Sequence, residues 1–354
     1  MRVKLEDVCE RGSSNLKLSD VVGQTGLYPI YGASGYICNV DFYHQEKPYV
    51  AIVKDGAGIG RATLHPAKSS VIGTMQYLLP KDNILPEYLC YVVRYMHLEK
   101  YFTGATIPHI YYKDYKNEEF NFESIEKQRG IVSVLGKLEK VIEERKQELL
   151  QLDNLIKSRF VELFGFPVSN TKGWETESMS EVAPTVSYTG KFDDEVWLLN
   201  LDMVEAQTGK ILDYLIVSEE EVGNSTCTFD TSNVLYSKLR PYLNKVVIPD
   251  RCGYATSELV PLQPVASKIN REYLAYMLRS DEFVTMINEK VAGAKMPRVS
   301  MSDFRKFDVP IPPMELQEQF AIFVEQVDKL KLKVQKSLEE TQTLMDSLMQ
   351  EYFG

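Results

Sequence analysis

The sequence predicts an α+β chain: two globular bodies of mixed helix and strand, alternating with two long helices that pack on each other. Three observations predict it. A stretch with a sustained 3-4 apolar spacing occurs twice, as Ser124–Gly165 and again as Met314–Gly354. The segments that precede these stretches are themselves related. Those segments carry short β-type runs between glycine-rich turns. The boundaries are 1–123 for the first body, 124–165 for the first helix, 166–311 for the second body and 312–354 for the second helix.

In the first body, Gly32 and Gly35 punctuate one turn and Gly56, Gly58 and Gly60 another, on either side of the β-type run Tyr49–Val53. Leu85 to Leu98 reads as a helix. The first long helix carries Ile131, Leu135, Leu138, Ile142, Leu149, Leu152, Ile156 and Leu163 on its seam, interrupted by Arg145. A 3-4 repeat of this length reads as a coiled-coil seam, about 60 Å long at about 1.5 Å per residue. It stops at Gly165, with Pro167 beyond. The second body has a β-type run at Val234–Ser237 and a helix reading from Arg271 to Asn288. The second long helix carries Phe320, Val324, Val327, Val334, Leu338, Met345, Leu348 and Tyr352, interrupted by Lys331.

With Gly165 set on Gly354, Gln128 falls on Gln317, Leu155 on Leu344 and Phe164 on Phe353. In the bodies, Val50–Lys54 aligns with Val234–Lys238, and Glu87-Tyr88-Leu89 with Arg94 aligns with Glu272-Tyr273-Leu274 with Arg279. Gly104-Ala105-Thr106-Ile107-Pro108-His109 aligns with Gly293-Ala294-Lys295-Met296-Pro297-Arg298. The residues before these points hardly align. The chain is a tandem duplication with similar helices and divergent bodies.

Composition narrows the function. The 354 residues, 44% apolar and 25% charged, are globular in character. No stretch approaches the roughly twenty apolar residues of a membrane span, and Met1 to Ser14 does not read as a secretory signal. Five cysteines without a C-x-x-C pair read as reduced thiols in a cytoplasmic protein. Asp55 to Gly60 contains G-x-G-x-G, but Arg61 to Ser70 does not open a helix, so the motif reads as a tight turn and not a dinucleotide site. There is no P-loop motif and no Asn- or Asp-Pro-Pro-aromatic tetrapeptide of the kind amino-methyltransferases use. His44, His65, His97 and His109 have no metal-ligand spacing. The expectation is a reader or scaffold with no catalytic, cofactor or metal site.

The net charge of −10 argues against nucleic acid if taken alone. Its distribution argues otherwise. Acids crowd into 193–195 and 219–221, while Tyr236 to Lys245 interleaves Lys238, Arg240 and Lys245 with Tyr236 and Tyr242. Such a loop suits phosphate contacts from lysine and base-edge contacts from arginine. Gly293 to Ser300 is a second basic candidate. Its GA-x-x-P pattern recurs in both halves, as a fold-defining turn or as a shared binding element.

At Tyr28-Pro29-Ile30-Tyr31-Gly32-Ala33-Ser34-Gly35-Tyr36, Val234 to Lys245, both GA-x-x-P turns, and Pro310-Ile311-Pro312-Pro313-Met314-Glu315-Leu316-Gln317, the chain resembles the specificity subunits of type I restriction–modification systems. The first helix lacks the proline pair at its entrance, and the second body lacks the YGASG stretch. The resemblance implies two target recognition domains and an antiparallel coiled coil related by a pseudo-two-fold axis. Each domain would read one half of an asymmetric, split DNA site. It implies two methyltransferase subunits docked on the helices, which use S-adenosylmethionine, and restriction subunits that use ATP and Mg2+. The DNA contacts expected are Tyr31, Ser34, Lys54, Arg61, Thr106, His109, Tyr112 and Lys113 in the first domain. In the second they are Lys238, Arg240, Tyr242, Lys245, Lys295, Arg298 and Ser300. A type IIB-like methylase–nuclease would use the same kind of recognition subunit, and a coiled-coil scaffold that binds no DNA is the alternative of a different class.

Overall fold

The computed structural model describes residues 1–103, 108–192, 194–291 and 295–354. Two compact units account for the chain. The first joins Met1–Lys146 to Gln335–Gly354, and the second is Gln147–Val334. The long helices are continuous over Ile125–Phe164 and Met314–Phe353, and each contributes one part to either unit.

In the first unit the strand Tyr49–Val53 is buried at every residue. An apolar run without alternation belongs in the middle of a covered sheet. It pairs antiparallel with Ala62–His65 on one side and Met75–Pro80 on the other, and Cys9–Ser13 extends the sheet beyond Met75–Pro80. A second sheet combines Gly35–Val40, Tyr28–Gly32 and Ser70–Val71.

The second unit repeats the central strands. Val234–Ser237 pairs with Val246–Val247 and with Leu259–Leu262. The registers coincide once Val50 is set on Val234: Val50 faces Leu78 and Val234 faces Leu262, while Ala51 faces Thr63 and Leu235 faces Val247. A one-residue slip would turn every side chain to the other face, so this match is a strict check on the sequence alignment. Besides this three-stranded sheet, the unit has a four-stranded one formed by Leu215–Ser218, Glu195–Leu199, Gly253–Thr256 and Thr226–Phe229.

Repetition also reaches the start of each body, where the sequence alignment fails. Arg2–Lys4 pairs with Glu119–Asn121, and Thr176–Ser178 pairs with Asp308–Pro310. Each ribbon runs into one helical turn, Leu5–Val8 or Met179–Val182. The N–H of Lys4 is satisfied by Asp7 at 3.0 Å and that of Ser178 by Glu181 at 3.2 Å. The acidic residue three positions on and the buried pairs Leu5 and Val8, Met179 and Val182 are all that is shared, a pattern too short to align.

The body helices correct one expectation. Leu85 to Leu98 resolves into a helix over Pro86–Tyr95 and a 3-10 turn over Leu98–Tyr101. Arg271 to Asn288 is two helices, Arg271–Arg279 and Asp281–Lys290. Ser280 breaks them because it is extended and its side chain caps the second helix through the N–H of Phe283.

Within each unit the long helices pack against each other. Leu135 and Ile142 share the first unit's core with Met345 and Phe353, flanked by Ile131, Leu138, Leu338, Leu348 and Tyr352. In the second unit Ile156, Phe160 and Phe164 join Phe320, Val324 and Val327, flanked by Leu152 and Leu163. Phe164 meets Phe320 at 5.4 Å between ring centroids, while Asp153, earlier on its helix, meets Lys331, later on the other. The pair is therefore antiparallel there. Leu149 and Arg145 are half-buried and Val334 is buried. Phe160, Phe164 and Phe353 were missing from that expectation and are among the most buried residues on these helices.

Candidate nucleic-acid interface

The segments singled out from the sequence are brought together by backbone hydrogen bonds. Arg240 N–H donates to Pro297 O at 2.8 Å, and Val299 N–H donates to Lys238 O at 2.8 Å. The loop after the central strand and the Pro297–Val299 end of the GA-x-x-P segment in the second unit are thus one structure. The first unit uses the equivalent atoms: Gly56 N–H donates to Pro108 O at 2.9 Å and Ile110 N–H to Lys54 O at 3.0 Å. In each unit the loop closes on its strand by one more bond, Val53 N–H to Arg61 O and Ser237 N–H to Lys245 O, both 3.0 Å.

Residues 54–61 and 238–245 are therefore the same loop. Gly56 and Arg240 occupy equivalent places and share the left-handed region, at φ 84° and 50°. Gly60 and Asn244 do likewise, at 81° and 48°. Glycine takes this conformation at no steric cost, whereas arginine does not. The G-x-G-x-G of the first unit is a tight turn, as the sequence indicates, and also the counterpart of the basic loop.

The side chains differ on this common frame. In the second unit Arg240 and Tyr242 are exposed and Lys238 is half-buried. Lys245 turns inward, with Nζ 2.7 Å from Leu201 O and burial drawing its pKa below the ordinary lysine value. Lys295 and Arg298 are exposed, and Arg298 pairs with Glu258 at 2.7 Å. Ser300 caps the turn Met301–Phe304.

In the first unit Arg61 sits at the place of Lys245 and likewise reaches a backbone carbonyl, that of Ala33. Ser34 is exposed in that turn, and Tyr31 is half-buried against His65. Lys54 pairs with Asp55 at 3.0 Å, and Asp55 also pairs with His109. Tyr112 is packed against the core, its hydroxyl pKa pushed up to about 12, chiefly by burial. Lys113 is exposed, its ammonium 5.3 Å from the Tyr111 ring. Thr106 lies outside the described residues, as do the Gly-Ala pairs Gly104-Ala105 and Gly293-Ala294 that open the two GA-x-x-P segments. Exposed Tyr111, whose ring lies tilted against that of His109 with 4.1 Å between centroids, is not singled out by the sequence. Its place next to the GA-x-x-P turn was the available signal.

Among the described residues no group of three or more His, Cys, Asp or Glu side chains is placed to hold a metal ion, and no helix is long and apolar enough to cross a membrane.

A family model of the type I restriction modification DNA specificity domain matches residues 1–152 and 203–341. The chain belongs to this family. Similar members are the EcoDI specificity subunit of Escherichia coli, 27% identical over 154 residues, covering 42% of this chain and 34% of that protein. The MjaIX specificity subunit of Methanocaldococcus jannaschii is 22% identical over 305 residues, covering 77% of this chain and 69% of that protein. The match thus spans about a third of the E. coli relative's length and about two thirds of the archaeal one.

Among solved structures, a type I S subunit from M. genitalium superposes with a TM-score of 0.61 at 15% identity, covering 100% of this chain and 96% of its own. A chain from a structure of the assembly and conformational transition of the type I R-M system gives 0.54 at 14% identity, covering 99% and 97%. At these identities the likeness is one of fold.

Proposed function

We propose that this chain is the non-catalytic specificity subunit of a type I restriction–modification complex and that it binds an asymmetric, bipartite DNA site. Each unit reads one half-site. The observation that carries the reading is the shared loop: one backbone frame, pinned by the same hydrogen bonds to Pro108 and Ile110 in one unit and to Pro297 and Val299 in the other, presents different side chains in the two units. Equivalent frames can meet the two strands of a duplex alike, because the DNA backbone has local two-fold symmetry. Different side chains then select different bases.

In the second unit Lys238 contacts phosphate, while Arg240, Tyr242 and Arg298 face the bases. Lys245 and Arg61 brace their loops from within and contribute to DNA binding indirectly. The helices dock two methyltransferase subunits that bind S-adenosylmethionine, and restriction subunits using ATP and Mg2+ join through them. The assembly works in the cytoplasm. A type IIB-like methylase–nuclease fits the same recognition chain and is distinguished by the partner fused or encoded beside it.

Salt dependence tests the reading. For the full chain assembled with its methyltransferase, log affinity for duplex DNA should fall linearly with log salt. Lys238→Ala should flatten that slope by about one unit for every sequence, the signature of one lost phosphate contact. DNA binding that is absent, or unaffected by salt, would instead favour the scaffold reading.

A further inference from the structure

We infer that Glu258 in the second unit and Asp55 in the first are positioning residues, whose carboxylates turn the basic residue of the GA-x-x-P turn away from phosphate and toward base edges. The inference rests on the proposed DNA reading. His109 and Arg298 occupy equivalent places in the repeat, directly after the proline of each turn. Each is held by a carboxylate, His109 Nδ1 by Asp55 and Arg298 Nη2 by Glu258 at 2.7 Å.

The two carboxylates come from different places in the fold. Asp55 lies on the loop after the central strand. Glu258 lies in the turn before Leu259–Leu262, where its backbone carbonyl accepts from Lys238 N–H at 3.0 Å. The residue equivalent to Glu258 in the first unit is Thr74, whose carbonyl accepts from Lys54 N–H at 3.0 Å and which carries no charge. The pairing thus recurs although its acid does not, so the pairing itself, beyond the shared backbone, is what both units have in common.

The chemistry of such a pair is specific. A guanidinium facing open solvent is drawn to the nearest phosphate and gains affinity for any sequence. A fixed carboxylate beside it offsets most of that pull and repels phosphate. It also sets the plane of the guanidinium fork, which must be oriented to donate two bonds to one base. Arg298 is suited to this: its side chain is 61% exposed, while that of Glu258 is 21% exposed. The anchor is held in the protein and the fork stands out from it.

Removing the carboxylate charge should therefore make the protein bind DNA more tightly and less selectively. The test uses the full chain assembled with its methyltransferase and two probes: a duplex carrying the site mapped by methylation, and a scrambled duplex of equal length. For Glu258→Gln, affinity for the scrambled duplex should rise and its salt slope should steepen by up to about one unit. The ratio of mapped-site to scrambled affinity should fall about tenfold or more, the range of one lost base contact. Asp55→Asn, which also releases Lys54, should lower the same ratio through the other half-site.

A purely structural buttress would lower affinity for both duplexes in proportion, and that result overturns the inference, as does an unchanged ratio in both variants. Wild-type protein that fails to distinguish the two duplexes would overturn the DNA reading itself, which is a separate outcome.

Discussion

His65 lies in the core of the first unit, 5% exposed, with Nε2 2.7 Å from the Thr63 hydroxyl and its ring stacked 5.2 Å from that of Tyr49. Burial disfavours the charged imidazolium and lowers its pKa to about 4. In the unfolded chain the same group titrates near 6.5. Below that pH the unfolded state takes up a proton that the folded state refuses. The stability from neutral His65 is therefore complete above about pH 6.5 and is lost as pH falls toward 4, by about 2–3 kcal/mol. Denaturant melts between pH 7 and 4 should show His65→Gln losing less stability on acidification than wild type. Parallel pH curves for the two proteins would exclude this account. The sequence could not supply this role, since a histidine without metal-ligand spacing reads equally well as surface or core.

Gln128 and Gln317 do the same work at the element scale. Each is fully buried near the start of a long helix. The Gln128 carbonyl accepts from Leu85 N–H at 2.9 Å, and its amide donates to the carbonyls of Asn83 and Glu123 at 3.1 and 2.9 Å. Gln317 repeats this with Asn270 N–H at 2.9 Å and the carbonyls of Lys268 and Pro312 at 3.0 and 2.8 Å. One amide thus ties the start of a long helix to the start of the body helix beside it. Truncation strands buried backbone groups, so Gln128→Ala and Gln317→Ala should each cost about 2–3 kcal/mol. A loss within about half a kcal/mol of zero in either would refute the tie. The glutamines aligned in the sequence, but nothing there indicated that their partners are backbone atoms.

The seam was more legible, because a 3-4 period and burial are two statements of one geometry. Lys331 marks its limit. It breaks the apolar pattern, yet it lies half-buried with Asp153 at 2.7 Å across the seam and Asp328 at 3.4 Å on its own helix. Burial alone would lower its pKa, and the two aspartates reverse that and hold it above the ordinary lysine value. Divergent bodies hid their shared loops, since the glycine frame of one and the basic frame of the other agree in backbone conformation and almost nowhere in composition.

For the molecule as a whole, the duplication makes the helix ends interchangeable. In the first unit Phe353 packs edge-on against Tyr88 at 5.2 Å, and in the second Phe164 packs edge-on against Tyr273 at 4.9 Å. Tyr88 then donates to Asn121 O and Tyr273 to Pro310 O, again equivalent atoms. A fragment of residues 1–165 keeps the Tyr88 pocket and loses Phe353, but its own Phe164 is the equivalent residue. Two such fragments should therefore associate, each placing its Phe164 against the other's Tyr88, and close as an isologous dimer. Sedimentation at tens of micromolar should give the dimer mass, and Phe164→Ala should return it to monomer. A folded fragment that stays monomeric would count against equivalence of the two ends.

The central claim is that each unit reads its own half of a split DNA site, and a methylation map tests it most directly. The chain is co-expressed with its methyltransferase, and methylated adenines are mapped across the host genome for wild type and for Arg240→Gly. Glycine already stands at the equivalent Gly56, and it relieves the left-handed strain at Arg240. A loss of selectivity in this variant is therefore not a loss of fold. The account predicts a bipartite, non-palindromic wild-type site, and in Arg240→Gly a relaxed base in one half with the other half and the gap unchanged. A wild-type map with no bipartite site, or a variant that relaxes both halves together, would contradict it.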